Sequence, residues 1–453
     1  MKKQDKGGYG MKRKMVIIGL DCADPKLVFE DFWNDLPNIK KIAEKGSFGP
    51  LKSTIPPITV PAWMCMVTGK DPGELGIYGF RNRKDFSYDS MFFANSRLIK
   101  HETIWESLGK YGYKSIILGV PLTYPPKPIK GYLISGFLAP STESEYTYPR
   151  ELKEEIKKWI GDYMLDVENF RTNDKERLLR DIYKMTEQRF EVAKHLVTEK
   201  EWDFFMMVEM GPDRIHHGFW AYHDPEHFKH DPNSPYKDAI RDYYKFLDKK
   251  IGEFLDVLPK DSLIMIVSDH GIQRMDGGIA VNDWLINKGY LTLKEKPKKP
   301  TRISDLIKND MIDWKKTVAW GEGGYYGRIF LNVKGREPEG IVEDYEETRN
   351  KLIKELESIT DEYGNNIGTR VFKPEEVYKK IENIPPDLIV YFGNLRWRSI
   401  GTVGNDTIWL HENDTGPDDA NHSQYGIIII SEGEVPKEIY KVRDFVLRIF
   451  EVV

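Results

Sequence analysis

The 453-residue chain contains little cysteine, and Cys22 and Cys65 are its only two. Two cysteines cannot build the disulfide framework of a small secreted domain. The sequence also has no apolar run of membrane-spanning length, and its Lys-rich opening MKKQDKGGYGMKRK lacks the apolar segment of a secretory signal. We therefore expect a reduced, soluble, cytoplasmic protein with no membrane partner.

Charge of one sign is not in large excess. The 67 basic and 72 acidic residues give a formal net charge of −5, and the two signs are interspersed along the chain. This pattern gives no indication of a groove for nucleic acid. Glutamine occurs only four times although 31% of the residues are charged, a bias that is seen in proteins from hyperthermophiles.

What the sequence does contain is a distinctive stretch at residues 54–80, TIPPITVPAWMCMVTGKDPGELGIYGF. Two prolines favour an extended approach, and a helix is then predicted with Thr59 as its N-cap, Pro61 in its first turn and its end at Gly69. The free N–H groups of a helix N-terminus attract anions such as phosphate. The Thr59 hydroxyl is therefore placed to attack phosphorus, although this stretch taken alone is more simply explained by a threonine that caps a surface helix.

Apolar runs that are followed by polar residues form a second pattern. Residues 15–20, 203–209 and 262–268 each have the composition of a buried parallel strand. Asp21 directly follows the first run, and ligands of open α/β sheets bind beyond the carboxyl ends of strands. Asp21 is thus a candidate site residue, or alternatively the cap of a helix that begins near Pro25.

The two later runs are followed by carboxylate and imidazole groups. Asp213 and His217 come four residues apart, so on a helix they share one face and are able to meet one metal ion. Asp269 and His270 directly follow the third run. A lone histidine is usually structural, but two histidines and an aspartate at one strand end make a metal site an equal alternative. We expect Asp21, Asp213 with His217, and Asp269 with His270 to converge on the carboxyl edge of one parallel sheet. His422, ahead of a further apolar run, is the last candidate.

The composition changes between residues 276 and 385. This segment contains a Gly-rich, aromatic entry to a strand, and we predict that residues 276–384 form an inserted α+β cap subdomain. Residues 386–392 have buried-strand composition and are expected to return to the main sheet. The predicted organisation is therefore a basic N-terminal tail at residues 1–14, a core formed by residues 15–275 and 385–453, and the cap.

Taken together, the candidate ligands are all oxygen or nitrogen donors. This mixture suits Zn²⁺ or a comparable divalent transition ion better than Mg²⁺. The set is large enough for two ions, which would clamp the attacking and leaving oxygens of a displacement at phosphorus. The candidates are Asp21, Thr59, Asp213, His217, Asp269, His270 and His422.

The order of these motifs resembles the alkaline phosphatase superfamily, and most closely its type I phosphodiesterase/nucleotide pyrophosphatase branch. The resemblance spans residues 15 to 430. It is carried by Asp21, Thr59-Val60-Pro61, Thr68-Gly69 with Pro72 and Gly76-Ile77, Asp213 to His217, Asp269-His270-Gly271, and His422. It implies an α/β, three-layer sandwich with a mostly parallel central sheet and an inserted cap.

The resemblance also implies the role of each residue. One ion would be held by Asp213, His217 and His422, and the other by Asp21, Asp269, His270 and the Thr59 oxygen. Thr59 would attack phosphorus and form a covalent phospho- or nucleotidyl-threonine. The implied substrate is a small phosphate ester or nucleotide, and the implied reaction is cleavage of a phosphodiester or pyrophosphate bond.

One position departs from the family pattern. Nucleotide pyrophosphatases follow the nucleophile with Phe-Pro-Asn, whose Asn donates to a phosphoryl oxygen, whereas Ala62 stands here. The backbone N–H groups of Thr59 and Val60, or the Arg214 side chain, are the alternative donors. A phosphomonoesterase or a phosphomutase would use the same ligands. A non-catalytic binding protein is a further alternative, although such a protein would be expected to have lost a ligand.

Overall fold

The computed structural model describes residues 14–452. The predicted basic tail at residues 1–14 therefore lies outside the described residues, apart from Lys14. The strands, in chain order, are β1 Met15–Leu20, β2 Ser47–Lys52, β3 Arg81–Arg83, β4 Met91–Phe93, β5 Ser115–Leu118, β6 Gly131–Ile134, β7 Thr147–Tyr148, β8 Phe204–Glu209, β9 Leu263–Val267, β10 Gly271–Arg274, β11 Gly277–Ala280, β12 Thr301–Arg302, β13 Ala319–Glu322, β14 Gly327–Leu331, β15 Arg370–Phe372, β16 Leu388–Tyr391, β17 Trp397–Ile400, β18 Thr402–Val403, β19 Trp409–Leu410, β20 Ala420–Ser423 and β21 Tyr425–Ile430.

The α-helices connect and cover these strands. They are α1 Pro37–Lys45, α2 Thr59–Thr68, α3 Pro72–Leu75, α4 Ile104–Lys110, α5 Leu152–Ile160, α6 Lys175–Glu199, α7 Gly211–His223, α8 Ala239–Asp256, α9 Val281–Asn287, α10 Ile303–Lys308, α11 Tyr345–Glu357, α12 Pro374–Val377 and α13 Val442–Ile449. Within residues 14–452, none of the helices combines the length and the apolar character needed to cross a membrane.

The central sheet has eight strands among the described residues, in the order β2-β21-β9-β1-β8-β5-β6-β7. Its middle is parallel: β1 pairs with β8 and β9, and β5 pairs with β8 and β6. Strands β2 and β21 pair antiparallel at one edge, and β7 pairs antiparallel with β6 at the other. The predicted mostly parallel α/β sheet is confirmed.

Helices cover both faces of this sheet, which gives the predicted three layers. Helices α6, α7 and α8 pack against one another, and α2 packs against α13 in a separate group. Every residue of β1, β8 and β9 is buried because both faces are covered. The apolar runs at residues 15–20, 203–209 and 262–268 are thus explained by parallel strands that are buried on both faces, as the sequence predicts.

A second sheet, with the order β13-β14-β16-β15, has its own apolar core; three of its strands lie in the predicted cap, and β16 lies beyond it. The prediction that residues 386–392 return to the main sheet is wrong, because β16 pairs with β14 (Gly327↔Val390). A short apolar run buries its side chains equally well in either sheet, so its composition does not select the partner strand. Since β17 and β19 also pair with β11, we propose that the smaller unit extends through β19.

Candidate active site

Asp21 follows β1 at the carboxyl edge of the parallel strands and is fully buried. Its Oδ2 accepts a hydrogen bond of 2.7 Å from the Trp63 indole N–H, and its backbone N–H donates to the carbonyl of Glu209. Oδ1 of Asp21 has no hydrogen-bond partner among residues 14–452. The indole therefore fixes one oxygen of the carboxylate and leaves the other available to a metal ion.

Thr59 is the first residue of α2, so the prediction that it is the N-cap is wrong by one position. Ile58 occupies the N-cap in an extended conformation, because its N–H bonds back to the Pro56 carbonyl. The Thr59 hydroxyl is therefore not used as a cap. Its oxygen lies 3.2 Å from Nε2 of His270, at the positive end of the helix.

Helix α7 carries Asp213 and His217 on one face, as the four-residue spacing predicts. Nε2 of His217 is 3.3 Å from Oδ1 of Asp213. Its other nitrogen, Nδ1, donates to Oδ1 of Asp418 at 2.7 Å. His216, by contrast, points away from this group and its Nε2 bonds to the Tyr244 hydroxyl.

His422 reaches the same place on β20, which pairs antiparallel with β10 directly after His270. The rings of His270 and His422 are stacked with their centres 3.7 Å apart. Nε2 of His422 lies 3.3 Å from Nε2 of His217. The long-range pairing of β10 with β20 thus brings His422 next to His217 and His270.

Asp269 and His270 follow β9. Oδ1 of Asp269 accepts from the backbone N–H of Cys22 at 3.2 Å, whereas its Oδ2 lies 3.1 Å from Nε2 of His270. Among the described residues, this Oδ2 has no hydrogen-bond partner. Asp269 therefore resembles Asp21, since each has one fixed and one uncommitted oxygen.

The three imidazoles share one orientation. Nδ1 of His217 faces a carboxylate oxygen, Nδ1 of His270 the Gly271 carbonyl at 3.0 Å, and Nδ1 of His422 the Pro57 carbonyl at 2.8 Å. Because these oxygens only accept, each Nδ1 carries the hydrogen and each Nε2 is directed inward. This is the tautomer and orientation that a metal ion requires.

The donor atoms form two overlapping groups, in each of which one atom per residue lies within 4.8 Å of the others: Asp213 with His217 and His422, and Asp21 with Asp213 and His270. Asp213 belongs to both groups and lies between them. The residues that the sequence singled out are thus brought together at one sheet edge. With inward Nε2 atoms and two unpartnered carboxylate oxygens, the donor set fits two divalent ions.

The electrostatics agree with this fit. Burial, together with the carboxylates of Asp269 and Asp213, holds the pKa of Asp21 well above its ordinary value, and burial raises the pKa of Asp269 to about 6. Burial opposes the charge of His217, but Asp418 and Asp213 raise its pKa to about 9. Clustered carboxylates of this kind are stabilised when a cation is bound.

Arg214, one of the predicted donors to the phosphoryl group, is engaged elsewhere. Its Nε and Nη2 donate to both oxygens of Asp166 at 2.9 and 2.7 Å, and its Nη1 donates to Asp213. The backbone N–H groups of Thr59 and Val60 begin α2, where helix geometry provides no intrahelical acceptor. They are the donors that remain beside the Thr59 hydroxyl.

Three residues of this site were not identified from the sequence in these roles: Trp63, Tyr325 and Asp418. The Tyr325 ring stacks on His217 and His422, with centres 4.9 and 4.4 Å away, and its hydroxyl donates to Oδ2 of Asp418 at 2.9 Å. Asp418 belongs to an acidic stretch that precedes His422 in the sequence, but no local spacing links that stretch to His217. Only the folded chain joins them.

A cavity of about 510 Å³ opens beside the group and is lined by Thr59, Asp213 and His422 on the core side. Tyr325, Tyr326 and Arg398 from the smaller unit line the other side. The cavity thus lies between the sheet edge and the smaller unit, which is a common place for an active site.

The model of the family described as type I phosphodiesterase / nucleotide pyrophosphatase matches residues 15–418. No curated protein matches the sequence. Among solved structures, phosphonoacetate hydrolase from Sinorhizobium meliloti 1021 in complex with phosphonoformate has a TM-score of 0.63 and 14% identity, over 98% of this chain and 96% of that one.

Two mammalian structures are also similar. Human ectonucleotide pyrophosphatase / phosphodiesterase 5 has a TM-score of 0.55 and 14% identity, over 97% of this chain and 96% of its own. An inactive threonine-to-alanine variant of the murine protein in complex with AMP has the same TM-score and coverage at 13% identity. These similarities establish the alkaline-phosphatase-like fold. With the family match over most of its length, the chain belongs to the type I phosphodiesterase / nucleotide pyrophosphatase family of the alkaline phosphatase superfamily.

Proposed function

We propose that the protein is a two-metal-dependent phosphohydrolase that cleaves phosphodiester or pyrophosphate bonds through a covalent phospho-threonine at Thr59. The observation that carries this proposal is the position of the Thr59 hydroxyl. It lies at the N-terminus of α2, 3.2 Å from Nε2 of His270, and borders the cavity. Family membership and the inactive threonine-to-alanine variant of the murine neighbour support the same reading.

Two groups of residues would hold the ions. Asp213, His217 and His422 would hold one, and the second would be held by Asp21, Asp269, His270 and Thr59. The inward Nε2 atoms and the uncommitted oxygens of Asp21 and Asp269 favour this assignment. Bound divalent ions, Zn²⁺ or another transition ion, would neutralise phosphoryl charge and lower the pKa of a hydroxyl or water.

The chain itself positions the nucleophile and the phosphoryl group. Pro56 and Ile58 set the start of α2, so the Thr59 side chain projects from the first turn instead of capping it. The backbone N–H groups of Thr59 and Val60 are available to the oxygens on which charge develops, in place of the Asn that Ala62 replaces. Arg214 donates to Asp213 and to Asp166, so its side chain is already paired with two carboxylates.

The proposed reaction has two displacements. The Thr59 hydroxyl loses its proton to solvent, its oxygen forms a bond to phosphorus, and the bond from phosphorus to the leaving oxygen breaks. The leaving group takes up a proton from solvent. Water then forms a bond to the same phosphorus, and the bond to Thr59 breaks, which restores the threonine hydroxyl and releases the phosphate or phosphate ester.

A substrate comparison tests this proposal. We expect bis-p-nitrophenyl phosphate and thymidine monophosphate p-nitrophenyl ester to be hydrolysed with a higher kcat/KM than p-nitrophenyl phosphate, and chelation to abolish the activity. A preference for the monoester would favour the phosphomonoesterase alternative. Hydrolysis that persists after the metal is removed would contradict the metal dependence.

A further inference from the structure

The cavity has a second charged wall, formed by Arg171 and Arg398, beyond the residues that the proposed reaction uses. Arg398 lies on β17 in the smaller unit, and Arg171 lies in the segment between α5 and α6. Both guanidinium groups therefore face the cavity from different parts of the chain.

Arg398 is buried, with 5% of its surface exposed, but its charge is poorly compensated. Its Nη2 donates to the neutral Thr415 hydroxyl at 3.1 Å, and its Nη1 is 3.4 Å from Oδ2 of Asp418. Its Nε has no hydrogen-bond partner among residues 14–452. A buried guanidinium ordinarily has a closely paired anion, so Arg398 has room for an additional anionic hydrogen-bond acceptor.

Arg171 reduces the compensation of Arg398 further, because it competes for the same carboxylate, that of Asp418. Its Nε donates to Oδ2 of Asp418 at 3.0 Å, and Oδ1 of Asp418 accepts from His217. Two guanidinium groups thus share one carboxylate that is already bonded to an imidazole. The wall carries an excess of positive charge in a place with little solvent.

Tyr325 connects this wall to the site of Thr59. The guanidinium carbons of Arg398 and Arg171 lie 4.8 and 5.5 Å from the centre of its ring, and the His422 ring lies 4.4 Å from the same centre. The two arginines and the imidazole are therefore arranged around one aromatic ring. Both arginines line the same cavity as Thr59, so a molecule bound in that cavity is able to reach Thr59 and this wall together.

We propose that Arg398 and Arg171 bind a second anionic group, a carboxylate or a phosphate, of the same substrate molecule. The substrate class is then a small phosphoryl compound with a second negative charge, not a simple alkyl or aryl ester. This inference rests on the proposed function only for the position of the reacting phosphoryl group. Planar guanidinium groups bind both kinds of anion through paired hydrogen bonds.

Equilibrium binding to the metal-loaded protein tests the inference without any turnover. Three probes are titrated calorimetrically: methylphosphonate, phosphonoacetate, which adds a carboxylate, and methylenebisphosphonate, which adds a second phosphonate. We expect one of the two probes with a second anionic group to bind about tenfold or more tightly than methylphosphonate. The probe that gains affinity identifies the second anion.

Arg398→Gln should remove this gain and leave the affinity for methylphosphonate within about twofold. Arg396→Gln is the matched control, because Arg396 pairs with Asp276 outside the cavity and should keep the gain. Arg171→Gln provides a second variant if Arg398→Gln does not fold. Equal affinity for all three probes, or an equal loss for all three in both cavity variants, would overturn the inference.

The same titration in Thr59→Ala separates this inference from the proposed function. The variant lacks the proposed nucleophile but keeps both arginines, so we expect the gain for the probe with a second anionic group to persist. A wild-type protein that discriminates among the probes but hydrolyses no phosphate ester would contradict the proposed function alone.

Discussion

Nδ1 of His217 donates to Oδ1 of Asp418 at 2.7 Å, and this bond directs the other imidazole nitrogen toward Asp213 and His422. The carboxylate is fully buried, and its pKa is held below the ordinary value: burial opposes the charge, but His217 and Arg171 more than offset it. A carboxylate that orients a ligand histidine in this way typically increases both ligand basicity and metal affinity.

Asp418→Asn should therefore lower the affinity for one ion about 10- to 100-fold, because the imidazole loses its charged partner. Competition with a chelator of known affinity measures the effect. Asp419→Asn is the matched control, since it removes the same charge at the next residue, whose carboxylate lies near Lys229. An equal loss in both variants would show that the overall charge, not the bond to His217, sets the affinity.

Metal content gives a second prediction. Elemental analysis of metal-replete protein should find close to two equivalents, because the donors form two groups around Asp213. His217→Ala or His422→Ala should reduce the content toward one equivalent. His195→Ala is a control, because that imidazole stacks on Trp159 outside the site. One equivalent in the wild type, unaffected by either substitution, would contradict the two-metal proposal.

Removing the metal should make stability depend on pH in a specific direction. In the metal-free protein, burial raises the pKa of Asp269 to about 6 and the pKa of Asp21 well above its ordinary value. The folded protein then binds more protons than the unfolded chain above pH ~4, so its stability falls as pH rises from ~4 through the folded pKa values.

Bound ions compensate these carboxylates, so the metal-loaded protein should not show that loss. The difference in Tm between protein with excess metal and protein with chelator should widen from pH ~4.5 to pH ~7. Differential scanning calorimetry in matched buffers measures it. A difference that stays constant or narrows over this interval would show that the carboxylates are not compensated by metal.

Tyr325 connects the smaller unit to the site, and we predict that it affects substrate binding more than metal content. Tyr325→Phe keeps the ring on His422 and removes the hydrogen bond to Asp418 of 2.9 Å, so KM should rise about three- to tenfold while metal content is unchanged. Tyr290→Phe is the control, because that hydroxyl donates to Glu355 in the smaller unit and Tyr290 does not line the cavity. Loss of metal in Tyr325→Phe would place the residue within the metal site instead.

The sequence predicted the strands that position the site with high precision, and β1 has the expected bounds Met15–Leu20. Continuous apolar runs followed by Asp or His are local features, so Asp21, Asp269 and His270 could be selected as candidates from the sequence alone. The spacing of Asp213 and His217 likewise depends on a single helical turn. Each of these predictions needed only the residues of one element.

The predictions that failed, or that could not be made, depended on distant parts of the chain. Strand β16 was assigned to the wrong sheet because LIVY is buried by any covered sheet. The contact of Asp418 with His217 joins residues 201 positions apart, and nothing in the local sequence marks it. The start of α2 was predicted one residue too late, with Thr59 and not Ile58 as the N-cap, because cap preferences do not reveal the turn from Pro56 to Ile58.

The identity of the nucleophile also predicts the effect of simple substitutions. Thr59→Ala should keep the fold and most of the metal, since the other ligands remain, but lose several orders of magnitude in kcat. Thr59→Ser should keep part of the activity because it retains a hydroxyl at the same helix N-terminus. Full activity in Thr59→Ala would show that another group attacks phosphorus.

The most direct test locates the phosphoryl adduct itself. Enzyme quenched in acid during turnover of bis-p-nitrophenyl phosphate is digested and analysed by mass spectrometry. The proposal predicts an adduct on Thr59. Nearby hydroxyls are internal controls, because Thr54 donates to the Pro56 carbonyl and Thr68 donates to the Met64 carbonyl at the far end of α2. An adduct on Thr54 or Thr68 would contradict the assignment of Thr59 as the nucleophile.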